Sequence, residues 1–483
     1  MAFHVTDTAT SLARKLAAGE ISAAELLEAS FDQIDRLAPA LNAVIWQDRE
    51  AARLEAAACD AERAQDSLRG PLHGLPITVK ESFDLAGSPT TWGFPDWANN
   101  IATEDSDVVK RYRAAGGIVF GKTNVPKGLV EWQSFNEIYG STSNPWDPAR
   151  TSGGSSGGSA VAMATGMSAL EAGSDIGSSI RNPAHYNGVC GLKPTWNTVS
   201  SEGHKPGGSL TDTDIAVCGP LARTAEDLSL AYDIISGPAH FEADQYTLRN
   251  TPDARTRLSE FTVAIKTGDP AVPVDDAYSA AIAGFGDRLE AAGATVIRDR
   301  EPEIDTDAQF TLYLNMLGAA MSKGMAEGEV ATLLALFEDA PEDCKRIGGN
   351  RYAGMDIKHR DWLVLDNKRR AARLAFRAFF QDVDVLITPV ASSAAFLKDE
   401  DGFRPFRRFE INGRQELETN NLFWSGYSGV VGIPSVVGPM AQIGGLPVGY
   451  QGICDHGRDH TCLAFARAVE RELVPYTPPP MAL

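Results

Sequence analysis

Two runs of glycine and serine enclose a charge-free segment of small and apolar residues, and this arrangement strongly constrains the fold. The first run is TSGGSSGGSA, from Thr151 to Ala160, and the second is GSDIGSSIRNPAHYNG over residues 173–188. The segment between them, AVAMATGMSAL, has no charge before Glu171. A flexible linker is solvated, so this composition argues against one. We expect both runs to lie inside the fold. Because their side chains are small, other groups can approach their backbone closely.

Glycine and serine runs of this kind could serve phosphate binding or hydrolysis. A phosphate-binding loop needs a Lys-Ser or Lys-Thr pair where the next helix begins, but after GGSSGG the chain continues SAVAMA. A serine hydrolase needs a nucleophile, a base and backbone N–H groups that stabilise an oxyanion. His185 follows closely, but members of a Ser-His-Asp triad normally converge from separate segments. We therefore predict that His185 is a hydrogen-bonded, partly buried side chain and not the base.

The composition limits the partners that we expect. The 483 residues include 64 acidic and 44 basic side chains, which give a net charge of −20. Such a surface repels nucleic acid and anionic membranes, so we expect neither as a partner. No apolar run approaches the roughly 18 residues that span a bilayer, and the N-terminus lacks an apolar signal core. The six cysteines form no Cys-x-x-Cys pair and the eight histidines no HExxH motif, which predicts reduced thiols in the cytoplasm and no metal.

Helical and strand patterns alternate along the chain. Ser22-Ala-Ala-Glu25 is a capping box that opens an amphipathic helix. Short apolar strand patterns occur at Ile77–Val79 and within GIVFGKTN, FTVAIKTG, ATVIRD and VDVLITPV. The alternation predicts a single α/β domain over residues 1–483, with a central twisted, mixed, mainly parallel β-sheet covered by helices on both faces. Residues 300–380 have a mostly helical pattern and are expected to form a cap or insertion.

Further motifs occur in a fixed order along the chain. They are GPLHGLPITVKESFDLAG, AAGGIVFGKTN, GGSSGGSA, GSDIGSSIRNPA, GVCGLKPT, GPLARTAEDL, DVLITP and GLPVGYQG. Together they resemble the landmarks of the amidase signature family, over about residues 10–470. The resemblance implies that family's fold, a catalytic core within residues 70–240, and an amide hydrolase that needs no cofactor.

The resemblance also implies roles for individual residues. Ser179 matches the family's nucleophile, Ser155 its bridging serine and Lys80 its catalytic lysine. The peptide bond between Gly154 and Ser155 is expected to be cis, as it is before the family's bridging serine. The backbone N–H groups that would hold the oxyanion belong to Ile176, Gly177, Ser178 and Ser179.

Lys80 can act as a base near neutral pH only if its pKa falls from about 10.4 to about 7. Burial at a strand end, among hydroxyls rather than carboxylates, would lower it. Glu81 is adjacent, but successive strand residues point to opposite faces, so Glu81 need not pair with Lys80. Lys193, in GLKPT, is carried by the family outside the triad, so we expect it to be structural.

This chain departs from the family at Ser178, where relatives usually have glycine and read IGGS instead of IGSS. If the position has a positive φ, serine is strained there by roughly 1 kcal/mol. Alternatively, its hydroxyl narrows the acyl pocket or adds a hydrogen bond. The departure also makes Ser178 the one serious rival to Ser179 as nucleophile.

By family analogy, residues 127–134 and 420–429 would line the substrate pocket. The candidate binding residues are Trp132, Gln133, Phe423, Trp424 and Tyr427. They would make the pocket aromatic and apolar, although the same aromatic side chains could equally be core. We therefore predict an amidase that prefers hydrophobic or aryl amides to charged ones.

Other functions fit the same site. The nearest alternatives are hydrolysis of a carbamate, an ester or a linear amide oligomer. A further alternative is membership of a glutamine-dependent transamidation complex acting on aminoacyl-tRNA. Those relatives usually read KDN and DTGGS where this chain reads KES and DIGSS, which argues against that function. A small-molecule amide is thus the expected partner, and a homodimer is expected only because relatives often form one.

Overall fold

Fifteen α-helices and fifteen β-strands follow one another in the computed structural model, which describes residues 3–483. The helices are α1 (Ala9–Ala18), α2 (Ala23–Leu41), α3 (Arg49–Arg63), α4 (Asp107–Ala114), α5 (Gly157–Thr165), α6 (Arg181–Asn187), α7 (Ala225–Ile235), α8 (Asp276–Ala291), α9 (Thr306–Met321), α10 (Glu327–Ala335), α11 (Glu342–Cys344), α12 (Asn350–Ala353), α13 (His359–Phe379), α14 (Leu422–Gly429) and α15 (Asp459–Glu472). The strands are β1 (Val44–Gln47), β2 (Pro76–Lys80), β3 (Ile118–Thr123), β4 (Phe135–Asn136), β5 (Gly140–Ser141), β6 (Glu171–Asp175), β7 (Cys190–Lys193), β8 (Val217–Ala222), β9 (Thr262–Ile265), β10 (Thr295–Ile297), β11 (Val385–Thr388), β12 (Arg408–Ile411), β13 (Arg414–Leu417), β14 (Ser435–Ile443) and β15 (Leu446–Ile453).

One large mixed sheet, surrounded by helices, forms the centre of the molecule. Its eight strands lie in the order β10-β9-β11-β15-β14-β7-β8-β6. The α/β class, the single domain and the mixed sheet are therefore confirmed. The prediction that the sheet is mainly parallel is wrong: β9 runs parallel to β10 and β11, whereas the other neighbouring pairs are antiparallel.

The alternation of helices and strands did not reveal which strands become neighbours. β6 and β7 are joined through α6 and run in the same direction, but β8 lies between them and is antiparallel to both. β14 and β15 form a hairpin whose turn, Gly444–Gly445, has positive φ at both residues. The position of β8 depends on long-range pairing that a local helix or strand pattern does not contain, whereas the Gly444–Gly445 turn is a local hairpin signal that the strand prediction did not use.

Local signals were more informative about where elements begin. Ser22 caps α2, since its hydroxyl accepts a hydrogen bond from the Glu25 N–H while the Glu25 carboxylate accepts one from the Ser22 N–H. The strand predicted at Ile77–Val79 is β2, and its last residue is Lys80. β2 belongs to a small second sheet of order β1-β3-β2 and lies against β6 of the large sheet. This contact brings Lys80 to the glycine and serine runs.

Residues 306–379 contain α9–α13 and form a helical region beside the large sheet. A π-helical turn, Lys345–Gly349, separates α11 from α12. The turn at Arg351 packs closely on α9, because a Cβ at Gly318 would lie 1.8 Å from the Arg351 carbonyl oxygen. Over residues 3–483, none of the helices combines the length and the apolar composition that crossing a bilayer requires.

Candidate active site

Lys80 is completely buried where β2 ends, and it faces hydroxyl groups. Its Nζ lies 2.6 Å from Ser155 Oγ and 2.9 Å from Ser174 Oγ. Burial lowers the pKa of Lys80 to about 7, although nearby carboxylates, Asp175 foremost, act in the opposite direction. A substantial fraction of neutral lysine is therefore present near pH 7. The contact of Lys80 with Ser174 was not anticipated from the sequence.

Glu81 points away from Lys80, as the strand geometry predicted. Its carboxylate accepts hydrogen bonds from the backbone N–H groups of Thr91, at 2.5 Å, and Trp92, at 3.0 Å. The adjacent acid therefore supports a neighbouring turn and leaves the lysine among hydroxyls.

Ser155 is buried directly before α5. The Gly154–Ser155 peptide bond is cis, which confirms the expectation. Asn182 holds this peptide, because its Oδ1 accepts from the Gly154 N–H at 3.1 Å and its Nδ2 donates to the Gly154 carbonyl at 2.5 Å. The Ser156 N–H donates to the Ser179 carbonyl at 3.1 Å. The two glycine and serine runs therefore meet at the end of Lys80.

Residues 176–180, which we call the nucleophile loop, follow β6 and are held by an ion pair. Arg181 Nη2 and Nε lie 2.8 and 3.0 Å from the two Asp175 carboxylate oxygens, and both side chains are fully buried. Asp175 also accepts the N–H groups of Ser178, at 2.9 Å, and Ile180, at 3.1 Å. Asp175 and Arg181 thus anchor the nucleophile loop.

The structure narrows the set of backbone N–H groups available to an oxyanion. The Ser178 N–H already donates to Asp175, so including it in the predicted set was wrong. Within residues 3–483, the N–H groups of Ile176, Gly177 and Ser179 take part in no hydrogen bond. Tyr313 Oη donates to the Ile176 carbonyl at 2.9 Å, and Trp132 Nε1 donates to the Gly177 carbonyl at 2.8 Å. Tyr313 therefore orients the peptide that carries the free Gly177 N–H, whereas Trp132 holds the peptide whose N–H, that of Ser178, is taken by Asp175.

Ser178 and Ser179 differ in their surroundings. Ser178 has a φ of 72°, the left-handed conformation that favours glycine. Its hydroxyl is buried without a hydrogen-bond partner in the described chain, so it does not add the hydrogen bond considered from the sequence. Ser179 instead lines a small cavity. Of the two serines, Ser179 is thus the one that an entering substrate would meet.

The cavity beside Ser179 has a volume of about 20 Å³. We call it the Ser179 cavity, and its lining residues are Leu129, Val130, Glu131, Trp132, Ile176, Gly177, Ser179, Leu317, Met321, Arg351, Arg404 and Leu422. Its walls thus come from the nucleophile loop, α9, α12 and three loop or helix-end segments. Arg351 and Arg404 were not anticipated, because no local motif distinguishes them from other arginines.

Of the five predicted substrate-binding residues, only Trp132 lines the Ser179 cavity. Phe423, Trp424 and Tyr427 are buried in a hydrophobic core, where α14 packs against α9 and α13. Gln133 is held elsewhere, because its side-chain amide exchanges two hydrogen bonds with the backbone of Asp399. The aromatic sequence pattern reflected packing at these positions, which was the alternative interpretation of it.

Two other titratable residues are excluded by their contacts. His185 is buried, with Nε2 3.0 Å from the Ser393 carbonyl and Nδ1 accepting the Gly449 N–H at 2.8 Å, so both ring nitrogens are engaged as predicted. Burial also lowers the pKa of Lys193 to about 7, but its Nζ donates to the Pro194 carbonyl at 3.1 Å. A lowered pKa therefore does not separate the two lysines, whereas the hydroxyl contacts of Lys80 do.

A metal centre has no support among residues 3–483, where no group of three or more histidine, cysteine, aspartate or glutamate side chains is placed to hold an ion. The site consists of a buried lysine, serines from two segments and free backbone N–H groups. These are the components of acyl transfer through a serine.

Comparison with known proteins gives the family. The sequence profile of the family named Amidase matches residues 25–463. An indoleacetamide hydrolase of Bradyrhizobium diazoefficiens is 31% identical over 478 residues, covering 96% of this chain and 86% of that protein. An acylamidase of Rhodococcus erythropolis is 29% identical over 486 residues, covering 96% of this chain and 94% of that protein. The structure of a 6-aminohexanoate cyclic dimer hydrolase is similar over 100% of both chains, with a TM-score of 0.80 and 26% identity.

A buried lysine and serine site of this kind, on this fold, defines a class of amide-hydrolysing enzymes. The chain belongs to the amidase signature family, as the match over residues 25–463 shows.

Proposed function

We propose that the protein hydrolyses the amide of a small molecule through an acyl-enzyme on Ser179. The observation that carries the proposal is the contact of 2.6 Å between Lys80 Nζ and Ser155 Oγ, in a buried setting that lowers the pKa of the lysine to about 7. The N–H of Ser156, the residue after Ser155, donates to the Ser179 carbonyl, and Ser179 lines the Ser179 cavity. These contacts support Lys80 as the base, Ser155 as the bridging hydroxyl and Ser179 as the nucleophile.

In the first half-reaction, neutral Lys80 accepts the Ser155 hydroxyl proton while Ser155 accepts that of Ser179. In residues 3–483 no hydrogen bond joins the Ser155 and Ser179 hydroxyls, so this link has to form when substrate is bound, as catalytic hydrogen bonds often do. Ser179 Oγ then attacks the amide carbonyl carbon, and the carbonyl oxygen becomes an oxyanion. The N–H groups of Ile176, Gly177 and Ser179 are the donors free to stabilise it.

Later in the first half-reaction, which is acylation, protonated Lys80 returns its proton through Ser155 to the leaving nitrogen. The C–N bond breaks, the amine or ammonia departs, and the acyl group remains on Ser179. In the second half-reaction, which is deacylation, water attacks the ester and its proton passes through Ser155 to Lys80. The carboxylic acid is released and Ser179 regains its proton, so the lysine ends each cycle neutral.

The group next to the scissile carbonyl is proposed to be apolar. Leu129, Trp132, Leu317, Met321 and Leu422 supply apolar surface to the Ser179 cavity. The similarity to an indoleacetamide hydrolase also supports an apolar or aryl amide. The core positions of Phe423, Trp424 and Tyr427 remove part of the basis that the sequence offered for an aryl preference.

The decisive experiment is intact mass spectrometry with peptide mapping after treatment with a fluorophosphonate, which phosphonylates activated serines. We expect one adduct, on Ser179, that is lost in Ser179→Ala and strongly reduced in Lys80→Ala and Ser155→Ala. Ser178→Ala is the matched control and should label normally. An adduct on Ser178, or one that does not depend on Lys80, would contradict the assignment.

A substrate panel of matched amides, esters and carbamates follows from the same proposal. We expect aryl amides to be cleaved with release of the amine, and Ser179→Ala to lose this activity. Faster turnover of carbamates or esters would instead favour the alternative hydrolases. Labelling of Ser179 without turnover of any member would favour an enzyme that needs a partner protein, as in the transamidation complex.

The protein is further proposed to work in the cytoplasm. Its six cysteines are all free and buried, which is compatible with a reducing compartment. The homodimer expected from relatives stays a prediction, which sedimentation analysis checks.

A further inference from the structure

Arg351 is a buried cation in the wall of the Ser179 cavity. It is about 6% exposed, yet it lines the same cavity as Ser179 and the free N–H groups of Ile176 and Gly177. The one side-chain hydrogen bond that it makes within residues 3–483 runs from Nη2 to Met321 Sδ, at 3.3 Å, and its Cζ lies 5.6 Å from the centre of the Tyr352 ring. Its Nε is buried and has no hydrogen-bond partner within the same residues.

The charged side chains near Arg351 form ion pairs with one another and, within residues 3–483, none with Arg351. Arg404 Nε lies 2.9 Å from Glu418 Oε1, and Arg407 Nη1 lies 2.7 Å from Glu131 Oε2. Arg404 Nε also lies 3.7 Å from Glu131 Oε2, and Arg407 Nη1 lies 3.9 Å from Glu418 Oε2. The two pairs therefore form one group of two cations and two anions. No ion pair within the described chain includes Arg351. The cavity therefore has an excess of one positive charge.

Arg404 also retains an unused donor. Its Nη1 donates to the Val130 carbonyl and its Nε to Glu418, but its Nη2 is buried without a partner in residues 3–483. Arg351 and Arg404, whose Nε and Nη2 respectively have no hydrogen-bond partner in residues 3–483, both line the Ser179 cavity. Two guanidinium groups with unpaired donors suit the oxygens of one carboxylate.

The position of Arg351 is fixed by its backbone. The π-helical turn Lys345–Gly349 precedes it, and short irregular turns of this kind often occur at functional sites. The carbonyl of Arg351 packs so closely on Gly318 of α9 that no larger side chain fits there. A buried cation without an ion-pair partner is destabilising, and the Tyr352 ring, 5.6 Å from the Arg351 Cζ, offsets only part of this cost. Binding an anion would offset more of it.

We propose that Arg351, assisted by Arg404, binds a carboxylate on the substrate, so that the enzyme acts on amides that also bear an acid group. The inference rests on the proposed function for the amide bond itself. It reverses the expectation from the sequence that charged amides are poor substrates. The apolar residues Leu317 and Met321, which share the cavity, would contact the short chain between amide and carboxylate.

Binding to an inactive variant tests the inference without any turnover. We would measure the affinity of Ser179→Ala protein for glutarate and for its neutral diamide, glutaramide, by isothermal titration calorimetry. We expect glutarate to bind roughly 10- to 100-fold more tightly, the range for hydrogen bonds to a charged group. We expect this preference to vanish in Ser179→Ala/Arg351→Met. Equal affinities in Ser179→Ala would overturn the inference even if Arg351→Met failed to fold.

Turnover of matched anilides provides a second test. In one pair the acid is on the acyl side, and glutaryl p-nitroanilide is compared with pentanoyl p-nitroanilide. In the other pair the acid is on the amine side, and the N-butyryl amide of 4-aminobenzoate is compared with the N-butyryl amide of aniline. We expect kcat/KM for the acidic member of at least one pair to fall roughly 10- to 100-fold in Arg351→Met, with little change for its neutral partner. Arg351→Lys should retain part of the preference.

Arg360→Met is the matched control, because it also removes one positive charge but from a side chain that is 78% exposed. It should leave both pairs unchanged. If Arg351→Met slowed acidic and neutral members equally, its role would be structural and the inference wrong. Discrimination of glutarate without any amide turnover would contradict only the proposed function. Turnover of neutral amides without discrimination would contradict only the carboxylate site.

Discussion

At the scale of the residue, Ser178 has the backbone conformation of a glycine and a hydroxyl without a partner in the described chain. Its φ is 72° and its Oγ is buried and unpaired. A left-handed conformation costs a serine roughly 1 kcal/mol. We therefore expect Ser178→Gly to raise the free energy of unfolding by about 1 kcal/mol, measured by urea denaturation. Ser152→Gly, at a nearby buried serine without positive φ, should instead destabilise the protein. Lower stability of Ser178→Gly would contradict this account of the position.

A second residue, Lys80, determines how kcat/KM is expected to depend on pH. Burial lowers its pKa to about 7, and only the neutral amine can accept a proton. The fraction of neutral lysine rises as the pH rises through about 7, so kcat/KM should rise with it and fall about tenfold per pH unit below. Kinetics from about pH 5 to about pH 9 measure this limb.

Lys193 is the natural control for that profile, because burial lowers its pKa to about 7 as well. Lys193→Met should keep the acid limb, provided that its melting curve shows a folded protein. Loss of the limb in Lys193→Met would mean that the wrong lysine had been assigned as the base.

At the scale of the element, α9 orients the nucleophile loop through one hydroxyl. Tyr313 Oη donates to the Ile176 carbonyl at 2.9 Å, which holds the peptide that carries the free Gly177 N–H. We expect Tyr313→Phe to lower kcat about tenfold with little change in KM, because a misplaced oxyanion donor acts on the transition state.

Tyr278→Phe is the control for Tyr313→Phe. Tyr278 is also buried and donates to the Gly449 carbonyl at 2.7 Å, away from the nucleophile loop. Tyr278 Oη also accepts the Val390 N–H at 3.0 Å, so its loss should reduce stability at least as much as that of the Tyr313 hydroxyl, by about 1–3 kcal/mol, and leave kcat unchanged. Equal effects of both variants on kcat would show that Tyr313 supports the fold in general and not the loop in particular.

At the scale of the whole molecule, Arg181 connects the nucleophile loop with the far side of the site. It pairs with Asp175, and its Nη1 donates to the Ser425 carbonyl of α14 and to Gln451 Oε1 of β15, at 3.1 and 2.8 Å. Removing one partner leaves a buried charge, so Arg181→Met should lower the free energy of unfolding by about 3–5 kcal/mol.

A variant of the paired carboxylate, Asp175→Asn, shows whether this loss of stability comes from the unpaired charge. Adding Asp175→Asn to Arg181→Met should restore part of the stability, because the unpaired carboxylate is removed. Breaking the exposed pair of Arg298 and Asp287 by Arg298→Met should cost less than about 1 kcal/mol. Strict additivity of Arg181→Met and Asp175→Asn would contradict a coupled pair.

Much of the fold was predictable where the signal is local. Ser22 and Glu25 lie within one helical turn, so their capping box is visible in the sequence and α2 begins where it predicts. The order of strands was not predictable, because β8 inserts between β6 and β7 only through long-range pairing. The aromatic residues of α14 were ambiguous for the same reason: a pattern shows that Phe423 is apolar but not which surface covers it.

By itself, the sequence determined the two glycine and serine runs and the lysine at a strand end, which depend on residue type and short-range backbone geometry. The choice of Lys80, Ser155 and Ser179, and of Ser178 as a glycine position, came from the resemblance of these motifs to the amidase signature family. Only the tertiary structure decided which N–H groups stay free, since Asp175 takes that of Ser178. It alone also placed Arg351 in the same cavity as Ser179 without an ion pair in the described chain, because the segments that compensate or expose a buried charge are far apart in sequence.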